Sequence, residues 1–159
     1  MQAPRYVFGT GGIFDPGPIH HALEVGYRAF DTAQMYKNEA EVGAALKSYR
    51  GSVIPRSELF VISKVEKPGR DMQETYEGIR RSVEVLGLDH IDLMLIHNPN
   101  HGPEGRKKQW LALERAKRDG LVKAIGVSNL CVSRRIPGGL ITSPMCARRQ
   151  RLHLGTDVA

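Results

Sequence analysis

The sequence has few cysteines and no long hydrophobic run, and both absences exclude classes of protein. Its two cysteines, Cys131 and Cys146, suggest neither a zinc site nor the disulfide framework of a small secreted protein. No window reaches the roughly 18 uncharged apolar residues of a membrane span, and Met1–Arg5 is too short and too polar for a signal peptide. We therefore expect a cytoplasmic protein without a metal site.

The net charge of +6 comes mostly from the end of the chain. Residues 1–130 hold 18 basic and 16 acidic residues (18 − 16 = +2), whereas residues 131–159 hold five arginines and one aspartate (5 − 1 = +4). This Arg-rich tail, residues 131–159, has no interleaved aromatic residues and no known nucleic-acid-binding module, so we expect no nucleic-acid partner. It also has no sustained helical or strand period. The tail is either foreign to the fold, as a shifted reading frame or retained intron would produce, or a short, poorly ordered terminus.

Polar residues recur at regular spacing, each at the end of an apolar run. Asp31, Lys64, His97 and Ser128 are separated by 33, 33 and 31 residues. The runs alternate with polar loops and helical patterns, which indicates a repeated strand–loop–helix unit. Nearly unbroken apolar runs are typical of parallel strands covered on both faces. The pattern predicts an α/β fold over residues 1–130, with its chemistry at the C-terminal ends of the strands.

The periodicity also predicts the individual elements. The expected strands are Tyr6–Thr10, Tyr27–Asp31, Leu59–Ser63, Ile91–Ile96 and Val122–Val127. The expected helices are Ile19–Gly26, Asn38–Tyr49, Asp71–Leu86 and Gln109–Arg118. Residues 11–18 and 98–106 are predicted loops, Asn38 is the expected N-cap of the second helix, and Gly87 ends the third.

A partial nucleotide-binding pattern occurs at the first predicted strand. The stretch Gly9–Gly11, with Asp31 about 20 residues later, matches part of the dinucleotide fingerprint. Phe14 stands in the position of the third glycine, and we expect Pro16 and Pro18 to prevent a helix from opening out of the turn. The classical dinucleotide-binding interpretation is therefore rejected.

The polar strand ends predict one shared cleft. If the strands are parallel neighbours about 4.8 Å apart, Asp31, Lys64, His97 and Ser128-Asn129 converge near Tyr36. An ammonium beside a tyrosine stabilises the phenolate, which makes the tyrosine a usable proton donor. An aspartate keeps the lysine charged and in place, a histidine can hydrogen bond a carbonyl oxygen, and a Ser-Asn pair suits an amide. Taken singly, Asp31 could cap a loop and His97 could be a structural histidine.

These residues lie in segments that together resemble the aldo-keto reductase family. The resemblance covers about residues 6–130. It rests on Gly26–Ala33, Tyr36–Glu39, Ser63-Lys64, Ile91–His97 and Ile125–Asn129. It implies a partial (β/α)8 TIM barrel of about five β/α units, and reduction of a small aldehyde or ketone with NADPH.

The resemblance also implies the roles of the site residues. Tyr36 is the expected general acid, supported by Lys64 paired with Asp31, and His97 is expected to orient the carbonyl group. The same resemblance implies the cofactor contacts. Ser128 and Asn129 are expected to hold the nicotinamide carboxamide, and Asp31 and Thr10 to lie near the nicotinamide ribose.

The chain departs from the family pattern in several ways. Asn98 follows the histidine where many members have tryptophan, and the hairpin that often precedes the first strand is absent. A complete barrel normally takes roughly 250 residues, so three strands and most of the cofactor clamp have no counterpart. We expect an open sheet edge that promotes self-association. The alternative to an enzyme is a non-catalytic, truncated relative that acts as a binding or regulatory partner.

Overall fold

Parallel strands form one sheet in the order in which they occur in the chain. This computed structural model describes residues 4–49, 51 and 54–129, so the Arg-rich tail lies outside the described residues. The strands are β1 (Phe8–Gly9), β2 (Ala29–Asp31), β3 (Phe60–Val65), β4 (Ile91–Ile96) and β5 (Val122–Val127). The helices are α1 (Pro16–Glu24), α2 (Glu39–Ser48), α3 (Met72–Leu86) and α4 (Gly102–Arg118). Two short 3₁₀ turns cover Gln34–Tyr36 and Arg56–Glu58. The predicted α/β class is confirmed.

The strands β4 and β5 have the predicted limits, whereas β1 and β3 differ and β2 begins at Ala29, two residues later than predicted. β1 is limited to Phe8–Gly9, and Tyr6 before it is exposed. β3 begins one residue later than predicted and continues to Val65, because its last residues stay paired with β4. Lys64 is therefore the penultimate residue of the strand, at its C-terminal end as predicted, although the predicted strand limit at Ser63 was two residues short.

Two helices begin earlier than predicted, and proline explains both differences. α1 begins at Pro16, and the Asp15 side chain caps it by accepting a hydrogen bond of 2.8 Å from the Gly17 amide. Proline is tolerated in a first helical turn, where the backbone amides have no partner within the helix. The expectation that Pro16 and Pro18 prevent a helix here was therefore wrong. α4 likewise begins at Gly102, with Pro103 in its first turn.

The ends of α3 match their predicted signals. The Asp71 side chain accepts a hydrogen bond of 2.8 Å from the Glu74 amide. Gly87 ends the helix with φ +62°, a conformation that glycine adopts without steric cost. Asn38 precedes α2 as predicted, but its side chain makes no capping bond. Its amide is used elsewhere, in the site described below.

The main core lies between the helices and one face of the sheet. Its fully buried members include Phe30, Val61 and Met94 from the strands and Ile79 and Leu113 from the helices. Successive side chains of a strand point to opposite faces, and the other face carries a smaller buried cluster. Ile62, Leu93 and Leu95 make up that cluster.

Helices α2 and α3 approach closely at a glycine. A Cβ atom at Gly43 would lie 2.2 Å from the carbonyl oxygen of Leu86. Any larger residue would therefore separate the two helices. Among the described residues, no helix has the length and apolarity needed to cross a bilayer, and the cytoplasmic location stays a prediction.

A buried ion pair joins the starts of β3 and β4. The Asp92 carboxylate accepts hydrogen bonds from the Val61 amide at 2.8 Å and from Arg56 Nη2 at 2.7 Å. Arg56 also donates to the carbonyl oxygens of Leu59 at 2.7 Å and His90 at 2.8 Å. The Asp92 side chain is only 3% exposed, so its charge depends on these partners.

We expect Asp92→Asn to lower the free energy of unfolding by about 3–5 kcal/mol, the usual cost of removing one partner of a buried pair. Urea denaturation measures the change. Glu84→Gln, in the exposed pair with Arg80, is the control and should have a much smaller effect. Equal effects of the two substitutions would contradict this account of Asp92.

Candidate active site

The C-terminal ends of the strands bring the predicted polar residues to one edge of the sheet. Asp31 ends β2, Lys64 lies near the end of β3, and His97 and Ser128 follow β4 and β5. Backbone hydrogen bonds continue the register beyond the strands, from the His97 amide to Val65 at 3.1 Å and from the Ser128 amide to Ile96 at 2.9 Å. The parallel pairing therefore determines which side chains are neighbours.

Lys64 lies at the centre of the site. Its side chain is 1% exposed, and its ammonium donates to three oxygen atoms: Asp31 Oδ1, the Thr32 carbonyl oxygen at 3.0 Å and the Tyr36 hydroxyl at 3.5 Å. An ammonium has three donors, so each can be matched to one acceptor. The carboxylate of Asp31 balances the buried positive charge.

Tyr36 connects Lys64 to His97. It ends the short turn Gln34–Tyr36, and its ring meets the His97 ring edge to face, with centroids 5.6 Å apart. Lys37 follows with φ +57° and directs the chain away from the site. The structure thus brings together all four residues with expected catalytic roles, and the roles themselves stay predictions.

The surroundings of His97 disfavour its charged form. Burial of the ring lowers the pKa of His97 below its usual value of 6.5, and the positive charge of Lys64 lowers it further. Within the described residues, the Nδ1 atom of His97 and the Oδ2 atom of Asp31 are buried without a hydrogen-bond partner. Buried polar atoms are normally paired, so these two atoms could bind a ligand.

The predicted cofactor-binding residues differ in their surroundings. Ser128 is buried beside the His97 strand end, and Asn129 is exposed with φ +57°. The Asn129 side chain donates to the His97 carbonyl oxygen at 2.8 Å, which leaves its amide oxygen free of that bond. Thr10 is fully buried, and its hydroxyl donates to the Asp31 carbonyl oxygen at 2.9 Å. That hydroxyl therefore supports β2, and its predicted position near a ribose stays untested.

Asn38 has a role that sequence reasoning missed. Its fully buried amide donates to the carbonyl oxygens of Thr10 at 2.7 Å and Ile13 at 2.8 Å, and accepts from Thr32 Oγ1 at 2.9 Å. It thereby ties the loop after β1 to the segment that carries Tyr36. An asparagine at a helix start is normally interpreted as a cap, so only the tertiary contacts reveal this function.

A second polar cluster lies behind the Tyr36 turn. The Glu39 carboxylate accepts hydrogen bonds from Ser63 Oγ at 2.6 Å and Ser82 Oγ at 3.2 Å. Burial raises the pKa of Glu39 above its usual value of 4.5, although both serine bonds oppose that change. Sequence reasoning gave Glu39 no contact with these serines, because the two serines come from distant parts of the chain.

Comparison with known proteins agrees with this geometry. Residues 17–135 match the model of the Aldo/keto reductase family. The chain belongs to this family. It is 44% identical over 114 residues to glyoxal reductase of Bacillus subtilis, covering 72% of this chain and 40% of that protein.

Solved aldo-keto reductases share the fold. One from a Medee basin deep-sea metagenome library superposes with a TM-score of 0.76 at 40% identity, covering 83% of this chain and 48% of that one. An aldo-keto reductase of the silkworm Bombyx mori, solved in complex with NADPH, gives a TM-score of 0.72 at 30% identity, covering 81% and 45%. The chain thus spans about half, or less, of the length of these relatives.

We expect His97 to titrate with a midpoint below 6.5, because burial and Lys64 both disfavour its charged form. Side-chain NMR of the imidazole as a function of pH measures this midpoint. Lys64→Met should raise it, since one of the two causes is removed. A wild-type midpoint at or above 6.5 would contradict the arrangement.

We expect Glu39→Gln to change the pH dependence of stability. The folded state binds the Glu39 proton more tightly than the unfolded chain does, so the wild type loses stability as pH rises from about 4.5 through the raised folded pKa. The variant lacks this loss, and its stability relative to wild type should increase over that range. Denaturation at several pH values measures the difference. Glu41→Gln, at an exposed position of the same helix, controls for net charge and should not reproduce the effect.

Proposed function

We propose that the chain carries the proton-transfer site of an NADPH-dependent reductase that converts a small aldehyde or ketone to an alcohol. One observation supports this most directly: the buried Lys64 ammonium hydrogen bonds to both Asp31 and the Tyr36 hydroxyl. A tyrosine with no catalytic use would not need a buried charge beside its hydroxyl.

In the proposed reaction, the Tyr36 hydroxyl donates its proton to the carbonyl oxygen of the substrate. The resulting phenolate is stabilised by the Lys64 ammonium, 3.5 Å from the hydroxyl oxygen. The hydrogen bond from Lys64 to Asp31 holds the ammonium in place beside the Tyr36 hydroxyl. General acid catalysis of this kind typically contributes about 10²–10⁴-fold to the rate.

His97 is proposed to orient the carbonyl group. A neutral imidazole has one N–H to donate, and the lowered pKa of His97 favours this form. Its ring contacts the Tyr36 ring, so a carbonyl oxygen near the Tyr36 hydroxyl can also accept a hydrogen bond from His97. Two donors would then fix the direction of the carbonyl bond.

NADPH would supply the hydride to the carbonyl carbon, and the protein supplies position and electrostatics. Ser128 and Asn129 are the proposed partners of the nicotinamide carboxamide, and Asp31 Oδ2 has free acceptor capacity for a ribose hydroxyl. The NADPH complex of the silkworm relative supports this choice of cofactor, and the glyoxal reductase of B. subtilis supports a small carbonyl substrate.

The unpaired edge of the sheet at β5 is also relevant to the proposed function. β5 pairs only with β4 among the described strands, and an unpaired strand edge favours association. We therefore propose that the chain self-associates through the unpaired edge of β5, which is the open edge of the partial barrel. The alternative function, a non-catalytic relative that binds or regulates a partner, makes no use of NADPH.

We expect the purified chain to bind NADPH saturably, followed by cofactor fluorescence, and to reduce a small aldehyde. Tyr36→Phe should keep binding and lower turnover at least about 100-fold, because the proton donor is removed. Tyr6→Phe, at an exposed position, is the matched control and should retain activity. A folded chain that binds no NADPH would overturn the proposal and favour the non-catalytic alternative.

A further inference from the structure

We propose that Gln34 is a positioning residue, which holds the Tyr36 hydroxyl at hydrogen-bonding distance from Lys64 by tying the Tyr36 turn to β3 and α3. The inference extends the proposed function, because it assigns to a residue outside the predicted site the task of setting the geometry of proton transfer.

Gln34 begins the turn that Tyr36 ends. Both the oxygen and the nitrogen of its side-chain amide form hydrogen bonds. Oε1 accepts a hydrogen bond of 3.0 Å from the backbone amide of Glu66, just beyond β3. Nε2 donates to the Gly78 carbonyl oxygen at 3.1 Å and to Ser82 Oγ at 3.0 Å, both in α3. These partners determine the orientation of the amide, because a backbone N–H requires an acceptor and a carbonyl oxygen requires a donor.

The turn has further restraints on either side, namely the fully buried Ala33 and the Lys37–Glu66 ion pair at 3.2 Å. It contains only three residues, and Ala33 before it makes no side-chain capping bond. Met35, in the middle of the turn, is 52% exposed and cannot anchor it. Lys37 after it has a positive φ of +57°, a conformation that costs free energy for a residue with a side chain. Within the turn, the Tyr36 hydroxyl accepts a hydrogen bond from the Lys64 side chain of β3, and Gln34 is the side chain that accepts one from the backbone just beyond β3.

The contacts of Gln34 reach the strand on both sides of Lys64. Directly, Gln34 binds the amide of Glu66, which follows Lys64 by two residues. Indirectly, Ser82 joins Gln34 to Glu39, and Glu39 accepts from Ser63, the residue before Lys64. A shift of the turn relative to β3 would therefore break bonds at both positions. This arrangement links the position of Tyr36 to the position of Lys64.

A substitution can keep the shape of the Gln34 side chain and change only its hydrogen-bond donor. In Gln34→Glu the side chain has nearly the same volume, but an acceptor replaces the donor that faces the Gly78 carbonyl oxygen and Ser82. We expect the turn to move and the Tyr36–Lys64 hydrogen bond to be lost. A displacement of about 1 Å at a reacting group can lower the rate by roughly 100-fold, so we expect kcat to fall about 10–100-fold with NADPH affinity within about twofold of wild type.

The first readout needs no turnover. NMR of the labelled full chain detects the contact between the Tyr36 and His97 rings and the hydrogen exchange of the Glu66 amide. Gln34→Glu should weaken the ring contact and speed exchange of that amide by at least about tenfold. Gln73→Glu, the same change at an exposed position of α3, is the control and should change neither.

The outcomes separate this inference from the proposed function. A wild-type chain that turns over no aldehyde contradicts the proposed function, whereas the NMR comparison still decides whether Gln34 positions Tyr36. Faster Glu66 exchange with an unchanged ring contact and unchanged kcat would mean that Gln34 is merely structural and would overturn the inference. If Gln34→Glu does not fold, Ser82→Ala decides, because it removes one partner of Gln34 and should weaken the same ring contact. An unchanged contact in that variant would also overturn the inference.

Discussion

A buried positive charge is the constraint on which the rest of the site depends. The Lys64 side chain is almost completely removed from solvent, and an uncompensated ammonium in such a place costs several kcal/mol. Three hydrogen-bond acceptors offset this cost: the Asp31 carboxylate at the end of β2, the carbonyl oxygen of Thr32 after it, and the Tyr36 hydroxyl in the turn that follows. Asp31, Thr32 and Tyr36 therefore all contribute an oxygen atom to the same buried side chain.

Each end of the sheet contains a buried pair of opposite charges, and the two pairs have different roles. At the starts of the strands, the Arg56–Asp92 pair is bonded mainly to backbone groups of β3 and its neighbours, and Arg56 Nε alone of its atoms is buried without a partner among the described residues. At the opposite end, Asp31 and His97 each retain a buried polar atom without a partner among the described residues. The pair at the strand starts links β3 to β4, which suits stability. The end with spare hydrogen-bonding capacity suits a ligand, which agrees with the membership of the chain in the Aldo/keto reductase family.

The sequence predicted the parts of this molecule that follow from local pattern. Apolar runs ending in Asp31 and His97 identified strands and their functional ends. This was possible because the repeat of strand, loop and helix follows from the spacing of residues along the sequence. The start of α1 was missed because Pro16 was interpreted as a breaker although a first helical turn tolerates proline, and the start of α4 was missed because residues 98–106 were predicted to be a loop. Gln34, and the true partners of Asn38, were invisible for another reason. Their hydrogen bonds join residues that only the folded chain brings together.

The strand order has a consequence for how the chain folds during synthesis. Each strand pairs with the strand that precedes it in the sequence. The sheet can therefore form from its N-terminal edge, strand by strand, with no pairing between distant segments of the chain. The loops to be closed are short, about one β/α unit each, which lowers the entropic cost of every step. The contact between Asp31, Tyr36 and Lys64 needs only β1 to β3, and it can therefore form while the ribosome is still adding the strand that carries His97. The oxygen atoms that accept from Lys64 all precede it in the chain, whereas its strand is covered on the other side only when β4 pairs with it.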